Sequence, residues 1–322
     1  MLHPRPTRSR PRPARRERAP RARRGIDRLL HPPRPLVRGA LAVTATAALS
    51  ALLVVATTPP NVYAVDVFGE LRAPGEPAFI VGHRGDRATA PENTMPALEA
   101  AMDGPMAFVE TDVQLTADGV PVLFHDGELD RVTGRSGTIG ALTAAEVAGL
   151  DAGAWYSEDY RGVGVPTLEE FLAALGERPG VRALVELKGE WADDEVRLVT
   201  GLIELAGVRD RVVLQSFSLA TLFAAQRVAP FTPRIMLVRE LAADPVPLAE
   251  RFGVIAFGTT AKSVAREPAA VERLHEAGLG ILCYTLNSES KWEEVRALGV
   301  DGIITDEPSD LDAWIAQTAP GT

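Results

Sequence analysis

The segment AFVETDV, residues 107–113, decides the interpretation of this chain, because an apolar strand pattern here contains two carboxylates. Side chains alternate along a strand, so Glu110 and Asp112 point to the same side. Two carboxylates on one inward face repel each other unless a cation or a shared proton compensates them. The segment therefore predicts a buried strand that also carries a charged site.

Similar apolar runs recur from Phe79 onward and alternate with stretches of helical periodicity, which is typical of strands and crossover helices in a parallel sheet. We predict eight strands, at 79–82, 107–113, 183–187, 212–216, 234–237, 253–257, 280–285 and 302–305. Helices are predicted at 94–102, 168–175, 195–206, 219–228, 269–277 and 289–298, with a weaker pattern near Leu248. Eight such units in a domain of about 240 residues predict a (β/α)8 TIM barrel.

One connection of this barrel is much longer than the others. It follows the second strand through residues 121–166 and is rich in Gly and turn residues. We interpret residues 126–166 as a small insertion at the catalytic rim. The predicted organisation is therefore a barrel domain at 79–322 with one insertion, preceded by a linker at 59–78.

The N-terminal region has a different character. Residues 1–38 contain thirteen arginines, many prolines and only two acidic residues, which predicts a disordered basic tail. Residues 39–58 carry no charge and are long enough to cross a bilayer core of about 30 Å. The arginines before this segment favour a single-pass anchor with a cytoplasmic tail and an extracytoplasmic body. The alternative is a signal segment cleaved after Ala64, which would give a secreted protein.

Composition excludes several classes of protein. The 322 residues are 46% hydrophobic and 24% charged, which predicts a folded body. The net charge is −9 despite the basic tail, so the body is strongly acidic and a nucleic-acid partner is not expected. Cys283 is the only cysteine, which excludes an intrachain disulfide and a cysteine zinc site.

The third predicted strand adds a third carboxylate, because Glu186 and Lys188 share one face. Neighbouring strands lie about 4.8 Å apart, so Glu186 can approach Glu110 and Asp112. Three carboxylates without nitrogen or sulfur ligands predict a hard divalent cation, Ca2+ or Mg2+. The alternative is a salt-bridged rim neutralised by Lys188, but one lysine cannot balance three buried carboxylates.

Two histidines, His83 and His125, end apolar runs on the predicted catalytic side. A pair of imidazoles beside a cation suits general acid and base catalysis near neutral pH. Arg84, which can hold two oxygens at once, suits a phosphate. Gln215 ends the fourth strand and is predicted to line the same pocket.

The PENT sequence at 91–94 predicts the start of a helix. Asn93 or Thr94 is the expected cap. Glu92 is expected to pair with Arg84 behind the site.

Three other polar residues receive structural interpretations. His275 is predicted to face solvent from an outer helix. Asp301 and Asp306, which flank the eighth strand, are predicted to be turn residues.

Seven motifs, in this order, resemble the glycerophosphodiester phosphodiesterase family. They are GHRG at 82–85, PENT at 91–94, ETDV at 110–113, HD at 125–126, PTLEE at 166–170, ELK at 186–188 and DGIITDEP at 301–308. Each motif alone is weakly specific. The ordered set spans nearly the whole predicted barrel and is strongly specific.

The resemblance implies a (β/α)8 fold and metal-dependent cleavage of glycerophosphodiesters to glycerol 3-phosphate and an alcohol. It suggests that the glycerol 2-hydroxyl attacks the phosphate and forms a cyclic phosphate, which water then opens. The implied roles are metal binding for Glu110, Asp112 and Glu186, acid and base catalysis for His83 and His125, and phosphate contact for Arg84 and Lys188.

One stretch departs from the family pattern. The family commonly has a WTVN-like sequence on the seventh strand, and this chain has YTLN at 284–287. An aromatic residue is retained, and Tyr284 is expected to contact substrate. The resemblance therefore implies neither the pocket shape nor the headgroup preference of this chain.

Two alternative functions stay open at this point. The same site in a related enzyme would act on lysophospholipids or on glycerophosphate polymers of the cell wall. A non-catalytic phosphoester-binding protein is the other alternative, but binding alone needs no pair of histidines. In each case the predicted partners are a small-molecule phosphoester and, through residues 39–58, a membrane.

Overall fold

The computed structural model describes residues 62–318, and their main feature is a closed barrel of eight parallel strands. The barrel strands are β1 (Phe79–Gly82), β2 (Phe108–Leu115), β4 (Arg182–Leu187), β5 (Val212–Ser216), β6 (Arg234–Leu237), β7 (Ala256–Thr259), β8 (Gly280–Cys283) and β9 (Gly302–Thr305). Strand β1 pairs with both β2 and β9, which closes the ring. The predicted TIM barrel is thus confirmed.

The structure differs from the predicted strands at four places. Strand β2 continues to Leu115, two residues beyond its predicted end, and β8 ends at Cys283, two residues before its predicted end. A short strand, β3 (Pro121–Leu123), pairs antiparallel with the end of β2 and was not expected, because three residues carry no period-two pattern. Strand β7 begins three residues later than predicted. Gly253, at a φ of 58°, ends the preceding helix, so the strand cannot begin there.

Helices cover the outside of the barrel, and the predicted ones all form. In chain order the α-helices are α1 (Ala64–Phe68), α2 (Met95–Asp103), α3 (Asp130–Thr133), α4 (Ala144–Val147), α5 (Leu168–Gly176), α6 (Asp193–Leu205), α7 (Leu219–Val228), α8 (Val246–Phe252), α9 (Ala261–Arg266), α10 (Ala269–Glu276), α11 (Glu289–Arg296) and α12 (Pro308–Thr318). The sequence does not predict α1, α3, α4, α9 or α12. Three of these five have only four or five residues, too few to show helical periodicity.

The interior of the barrel determines where the polar residues meet. Apolar side chains fill its lower part, at the N-terminal ends of the strands: Phe79, Val81, Phe108, Leu184, Val213, Ile235, Leu282 and Ile304. Because side chains alternate, the next inward position on a strand is two residues further on. In most of these strands that position is polar, namely His83, Glu110, Glu186, Gln215, Tyr284 and Asp306. The polar residues therefore collect at the C-terminal mouth of the barrel.

Helix α1 closes the opposite end. Its Phe68 ring lies 5.0 Å from the ring of Phe79 and 6.0 Å from that of Phe108, the first residues of β1 and β2. Part of the predicted linker at 59–78 is therefore packed into the barrel. The described chain enters the barrel at the end that lies away from the mouth.

The insertion after β2 has an apolar cluster of its own. This cluster consists of Val122, Phe124, Leu129, Val132, Ile139, Leu142, Val147, Leu150, Ala152 and Val165. The insertion also contacts the loop after β1, because the Tyr156 hydroxyl donates to the carbonyl of Ala88 (2.8 Å) and the Tyr160 hydroxyl to that of Thr89 (2.7 Å). It lies beside the mouth, where the sequence predicts it.

The predicted basic tail at 1–38 and the predicted anchor at 39–58 lie outside the described residues. Between residues 62 and 318, the structure contains no helix with the length and apolar character needed to span a bilayer. The anchor and the extracytoplasmic location therefore stay predictions.

Candidate active site

Three carboxylates converge at the mouth of the barrel. Glu110 and Asp112 come from β2 and Glu186 comes from β4, where it is the direct register partner of Asp112. All three side chains are buried, and each offers an oxygen that lies within 4.8 Å of the other two. Such a group of oxygens is the donor set that Ca2+ and Mg2+ prefer.

The pKa values of these groups show that negative charge is in excess. Burial, together with repulsion from Asp112 and Glu186, raises the pKa of Glu110 well above its usual range. Burial and repulsion from Asp112 raise the pKa of Glu186 to about 7. Burial also acts on Asp112, but Lys188 and Arg84 outweigh it and hold the pKa of that carboxyl far below its usual value. A divalent cation would relieve the remaining repulsion.

The positive and neutral donors around the carboxylates leave room for such a cation. Lys188 Nζ lies 3.2 Å from Asp112 Oδ1 and 3.0 Å from Glu186 Oε1, as the salt-bridge alternative expects. Glu110 receives only neutral donors, the backbone N–H of Arg84 (2.9 Å) and the side-chain amide of Gln215 (3.1 Å). The other amide atom, Gln215 Oε1, is buried and has no hydrogen-bond partner among the described residues. The residues present therefore fit a hard divalent ion.

His83, which follows β1, is held by an acidic partner that follows the neighbouring strand β9. Its Nδ1 lies 2.6 Å from Oδ1 of Asp306, just after β9. A carboxylate only accepts hydrogen bonds, so Nδ1 carries the proton and Nε2 is the free acceptor. Burial lowers the pKa of His83, although its bond to Asp306 opposes that change. Asp306 lies in the bend after β9, as predicted for a turn residue, but its carboxylate also binds Arg87 and Asn287.

His125 has a matching arrangement. Its Nδ1 lies 2.7 Å from Oδ1 of Asp126, and the other oxygen of Asp126 accepts from Nε of Arg131 at 2.5 Å. Burial again lowers the pKa of the imidazole. Burial would raise the pKa of Asp126, but the hydrogen bonds from Arg131 and His125 lower it to about 2. In both histidines a carboxylate holds Nδ1, so Nε2 is the ring atom left to exchange protons with a ligand.

A single buried glutamate joins these two arrangements. Glu92 accepts hydrogen bonds from Arg84 (2.7 Å), Arg87 (2.8 Å) and Arg131 (2.6 Å). The predicted pairing of Glu92 with Arg84 is confirmed. Glu92, His125 and Asp126 also lie close enough together to suggest a second metal site. However, three arginines form ion pairs with Glu92 and already neutralise its negative charge.

Asn93 has a different role from the predicted helix cap. Its side-chain N–H donates to Asp112 Oδ2 (2.9 Å), while its oxygen accepts from the hydroxyl of Thr111 (2.7 Å). Thr94 occupies the cap position, but its hydroxyl donates to the carbonyl of Pro91 and caps nothing. Asn93 and Arg84 are the only non-glycine residues between 62 and 318 with a positive φ, 53° and 56°. Strained backbone of this kind is frequent where side chains must be positioned for function.

His275 does not face solvent as predicted. Its Nε2 lies 3.1 Å from Oδ2 of Asp301, which is fully buried and also accepts the backbone N–H groups of Arg72 and Ile281. This cluster lies at the N-terminal end of β9. It therefore stabilises the closed end of the barrel, far from the mouth.

The mouth contains one cavity of about 490 Å³. It is lined by each of the predicted site residues: His83, Arg84, Glu110, Asp112, His125, Glu186, Lys188, Gln215 and Tyr284. Phe217 and Arg239 line it as well and are not predicted. A count of two residues beyond Gln215 and beyond Leu237 would have found both, because inward positions recur with period two.

Comparisons with known proteins agree with this geometry. The model of the glycerophosphoryl diester phosphodiesterase family matches residues 83–310. A glycerophosphodiester phosphodiesterase of Caldanaerobacter subterraneus is 30% identical over 236 residues, which cover 72% of this chain and 96% of that protein.

Two solved structures are also similar. An Oleispira antarctica phosphodiesterase in complex with the product sn-glycerol-3-phosphate is 28% identical, with a TM-score of 0.69 over 74% of this chain and 96% of that one. A glycerophosphodiester phosphodiesterase from Agrobacterium tumefaciens is 30% identical, with a TM-score of 0.65 over 73% of this chain and 99% of that one.

The contact between Asp306 and His83 predicts a loss of turnover without a loss of folding. Asp306→Asn removes the charge that fixes the Nδ1 proton, so we expect kcat for a glycerophosphodiester to fall at least about tenfold while KM changes little. Steady-state kinetics would measure this, with thermal unfolding as the check on folding. The control is Asp310→Asn, an exposed position on α12. An unchanged kcat in Asp306→Asn would show that His83 needs no orientation.

The raised pKa of Glu186 predicts that metal binding depends on pH. Glu110 and Glu186 must lose protons to bind a cation, so affinity for Ca2+ or Mg2+ should rise as the pH is raised from about 6 to about 8. Isothermal titration calorimetry of the metal-free chain would measure this rise. Glu186→Gln should bind at least about tenfold more weakly and lose part of the pH dependence. Affinity that does not change with pH would contradict the assignment.

Proposed function

The chain belongs to the glycerophosphoryl diester phosphodiesterase family and is a phosphoric diester hydrolase, and we propose that the cavity at the barrel mouth is where it cleaves its substrates. The family hydrolyses glycerophosphodiesters and depends on a metal. One observation carries the proposal: two histidines with free Nε2 atoms share a single cavity with three buried carboxylates. This combination brings acid and base catalysis and cation binding to one place.

Phosphodiesters resist attack because the nucleophile must approach an anion, so charge must first be neutralised. Arg84 and Lys188 border the cavity and supply fixed positive charge to the phosphate. Glu92 holds the Arg84 guanidinium, and Asp112 and Glu186 hold the Lys188 ammonium, so both cations are already in place before substrate binds. This preorganisation lowers the cost of binding the developing charge.

Glu110, Asp112 and Glu186 would hold the divalent cation, and when bound it adds charge neutralisation and polarises the phosphoryl oxygens. The chain's own residues orient these carboxylates. Gln215 holds Glu110, and Asn93 holds Asp112, each through a side-chain amide.

The two histidines move the protons. In the first step one imidazole, neutral at Nε2, takes the proton of the glycerol 2-hydroxyl, whose oxygen attacks phosphorus. The other imidazole enters the step with a proton on Nε2, taken from solvent, and gives it to the departing alkoxide as the bond between that oxygen and phosphorus breaks. The product of that step is a cyclic phosphate and a free alcohol. In the second step the histidines exchange roles, water attacks phosphorus, and the ring opens to glycerol 3-phosphate. Asp306 and Asp126 keep each Nε2 directed to the cavity throughout.

Two matched, oriented histidines also count against the non-catalytic alternative. A phosphoester-binding protein needs cations at the phosphate but no proton acceptor and donor. Lysophospholipids and glycerophosphate polymers differ from simple glycerophosphodiesters in the group that leaves the phosphate. They would use the same carboxylates and histidines. The cavity residues that contact the leaving group would determine which of these substrates is cleaved.

Removal of one histidine tests the proposed chemistry. His125→Ala should lower kcat at least about 100-fold for glycerophosphocholine, because the proton transfer that it supports is lost. Release of glycerol 3-phosphate measures turnover. EDTA should abolish turnover, and added Ca2+ or Mg2+ should restore it. The control is His275→Ala, a histidine at the closed end of the barrel, which should leave kcat unchanged. Full activity of His125→Ala would contradict proton transfer by His125, and full activity of the metal-free chain would contradict the need for a metal.

The location of the barrel outside the cytoplasm is also a proposal. It is supported by the arginines that precede the uncharged segment 39–58. An alkaline phosphatase reporter fused after Thr322 should be active in cells, because that enzyme works only outside the cytoplasm. N-terminal sequencing should find residues 1–38 retained for an anchor, or a start at Val65 for a cleaved signal. An inactive reporter would overturn the extracytoplasmic location.

A further inference from the structure

One cation at the mouth has no role in the chemistry described above. Arg239 lines the cavity, just beyond the end of β6. Its guanidinium forms no salt bridge with any residue between 62 and 318, whereas Arg84 and Lys188 each pair with two carboxylates. Glu240, its neighbour in sequence, pairs instead with Arg266 at 3.4 Å. The charge of Arg239 is therefore available to a ligand.

Arg239 lies across the mouth from the histidines. The carboxylates and histidines come from β1, β2 and β4 and from the segment after β3, whereas Phe217, Arg239 and Tyr284 follow β5, β6 and β8 and form the opposite wall. Ile235 and Leu237 are inward positions of β6, and Arg239 continues the same period. A substrate whose phosphate lies near Arg84 and Lys188 extends one of its two ester groups toward this wall.

Aromatic side chains complete the wall and fix the position of the arginine. The Arg239 guanidinium carbon lies 5.7 Å from the ring centroid of Phe217, and that ring meets the Tyr284 ring edge to face at 5.8 Å. The Tyr284 hydroxyl donates to the carbonyl of Val238 at 2.8 Å, which ties the aromatic pair to the backbone next to Arg239. Aromatic faces of this kind bind quaternary ammonium groups well. Here the guanidinium already covers the Phe217 face, so a cationic headgroup would meet a like charge.

We propose that Arg239, Phe217 and Tyr284 form a headgroup subsite that selects diesters whose leaving alcohol carries an additional phosphate. This inference rests on the proposed function, because it names the substrate class of the same cavity. A terminal phosphate would accept hydrogen bonds from the guanidinium, and the alcohol carbons would contact the two rings. Glycerophosphocholine would be turned over, but less efficiently.

A matched pair of substrates tests the subsite. Glycerophosphoglycerol and its terminally phosphorylated form differ only in one phosphate, and glycerophosphocholine supplies the cationic case. For the metal-loaded full chain, we expect kcat/KM to be highest for the phosphorylated diester and lowest for glycerophosphocholine. The preference should shrink at high salt, because Arg239 is exposed and salt screens exposed charge pairs.

Variants of Arg239 test whether this residue causes the substrate preference. Arg239→Gln should lower kcat/KM for the phosphorylated diester at least about tenfold and leave glycerophosphoglycerol nearly unchanged. Arg239→Lys should restore much of the preference, because it restores the charge. The matched control is Arg209→Gln, since Arg209 also covers an exposed phenylalanine, Phe231, at 5.6 Å, but it does so at the closed end of the barrel. Arg209→Gln should leave kcat/KM unchanged for all three substrates.

Three outcomes would overturn the subsite. An equal loss on all three substrates in Arg239→Gln would show that Arg239 contacts the glycerol phosphate that they share. No loss on any of them, or a wild-type preference for glycerophosphocholine, would show that the wall does not select by charge. If the wild-type chain cleaves none of the three, the proposed function fails, which is a different result.

Discussion

Repulsion among three buried carboxylates is the constraint on which the rest of the mouth depends. Glu110, Asp112 and Glu186 are held together by strand register, because Asp112 and Glu186 are direct partners on β2 and β4. The fold can tolerate them there only if cations or bound protons compensate their charge. Lys188 and Arg84 meet part of this need, and the raised pKa values of Glu110 and Glu186 show that part of it is unmet. The uncompensated repulsion among these carboxylates creates affinity for a divalent ion.

A second level of charge pairing fixes the histidines. Asp306 and Asp126 hold one imidazole each, and both are linked through an arginine to Glu92. The two general acid and base candidates are thus attached to one buried point, although one follows β1 and the other follows β3. This arrangement explains why the insertion packs against the loop after β1. Arg131 belongs to the insertion, so its helix must lie close enough to reach Glu92.

Much of the site could be predicted from the sequence because strand periodicity is local. Glu110 and Asp112 are two residues apart on one strand, and a residue count alone places them together at the end of an apolar run. The partners of the catalytic residues could not be predicted in this way. Asp306 and Asn93 resemble ordinary turn and cap residues, and only the closure of the barrel brings Asp306 to His83. His275 shows the reverse case. Its helical position suggests a solvent-exposed side chain, but a contact with Asp301, more than twenty residues away, leaves that side chain only partly exposed.

Catalytic residues and the residues proposed to select the substrate lie on different sides of the barrel mouth. Residues that move protons or hold charge near the phosphate come from β9, β1, β2 and β4 and from the insertion, and they depend on one another through shared hydrogen bonds. Phe217, Arg239 and Tyr284 lie on the other wall and share no ion pair with that network. A substitution at Tyr284 or Arg239 can therefore alter which alcohol fits without disturbing the carboxylates or histidines. In a barrel whose strands end independently at one rim, substrate preference can diverge while the chemistry is retained, and the YTLN stretch of this chain lies on the wall where that divergence is least costly.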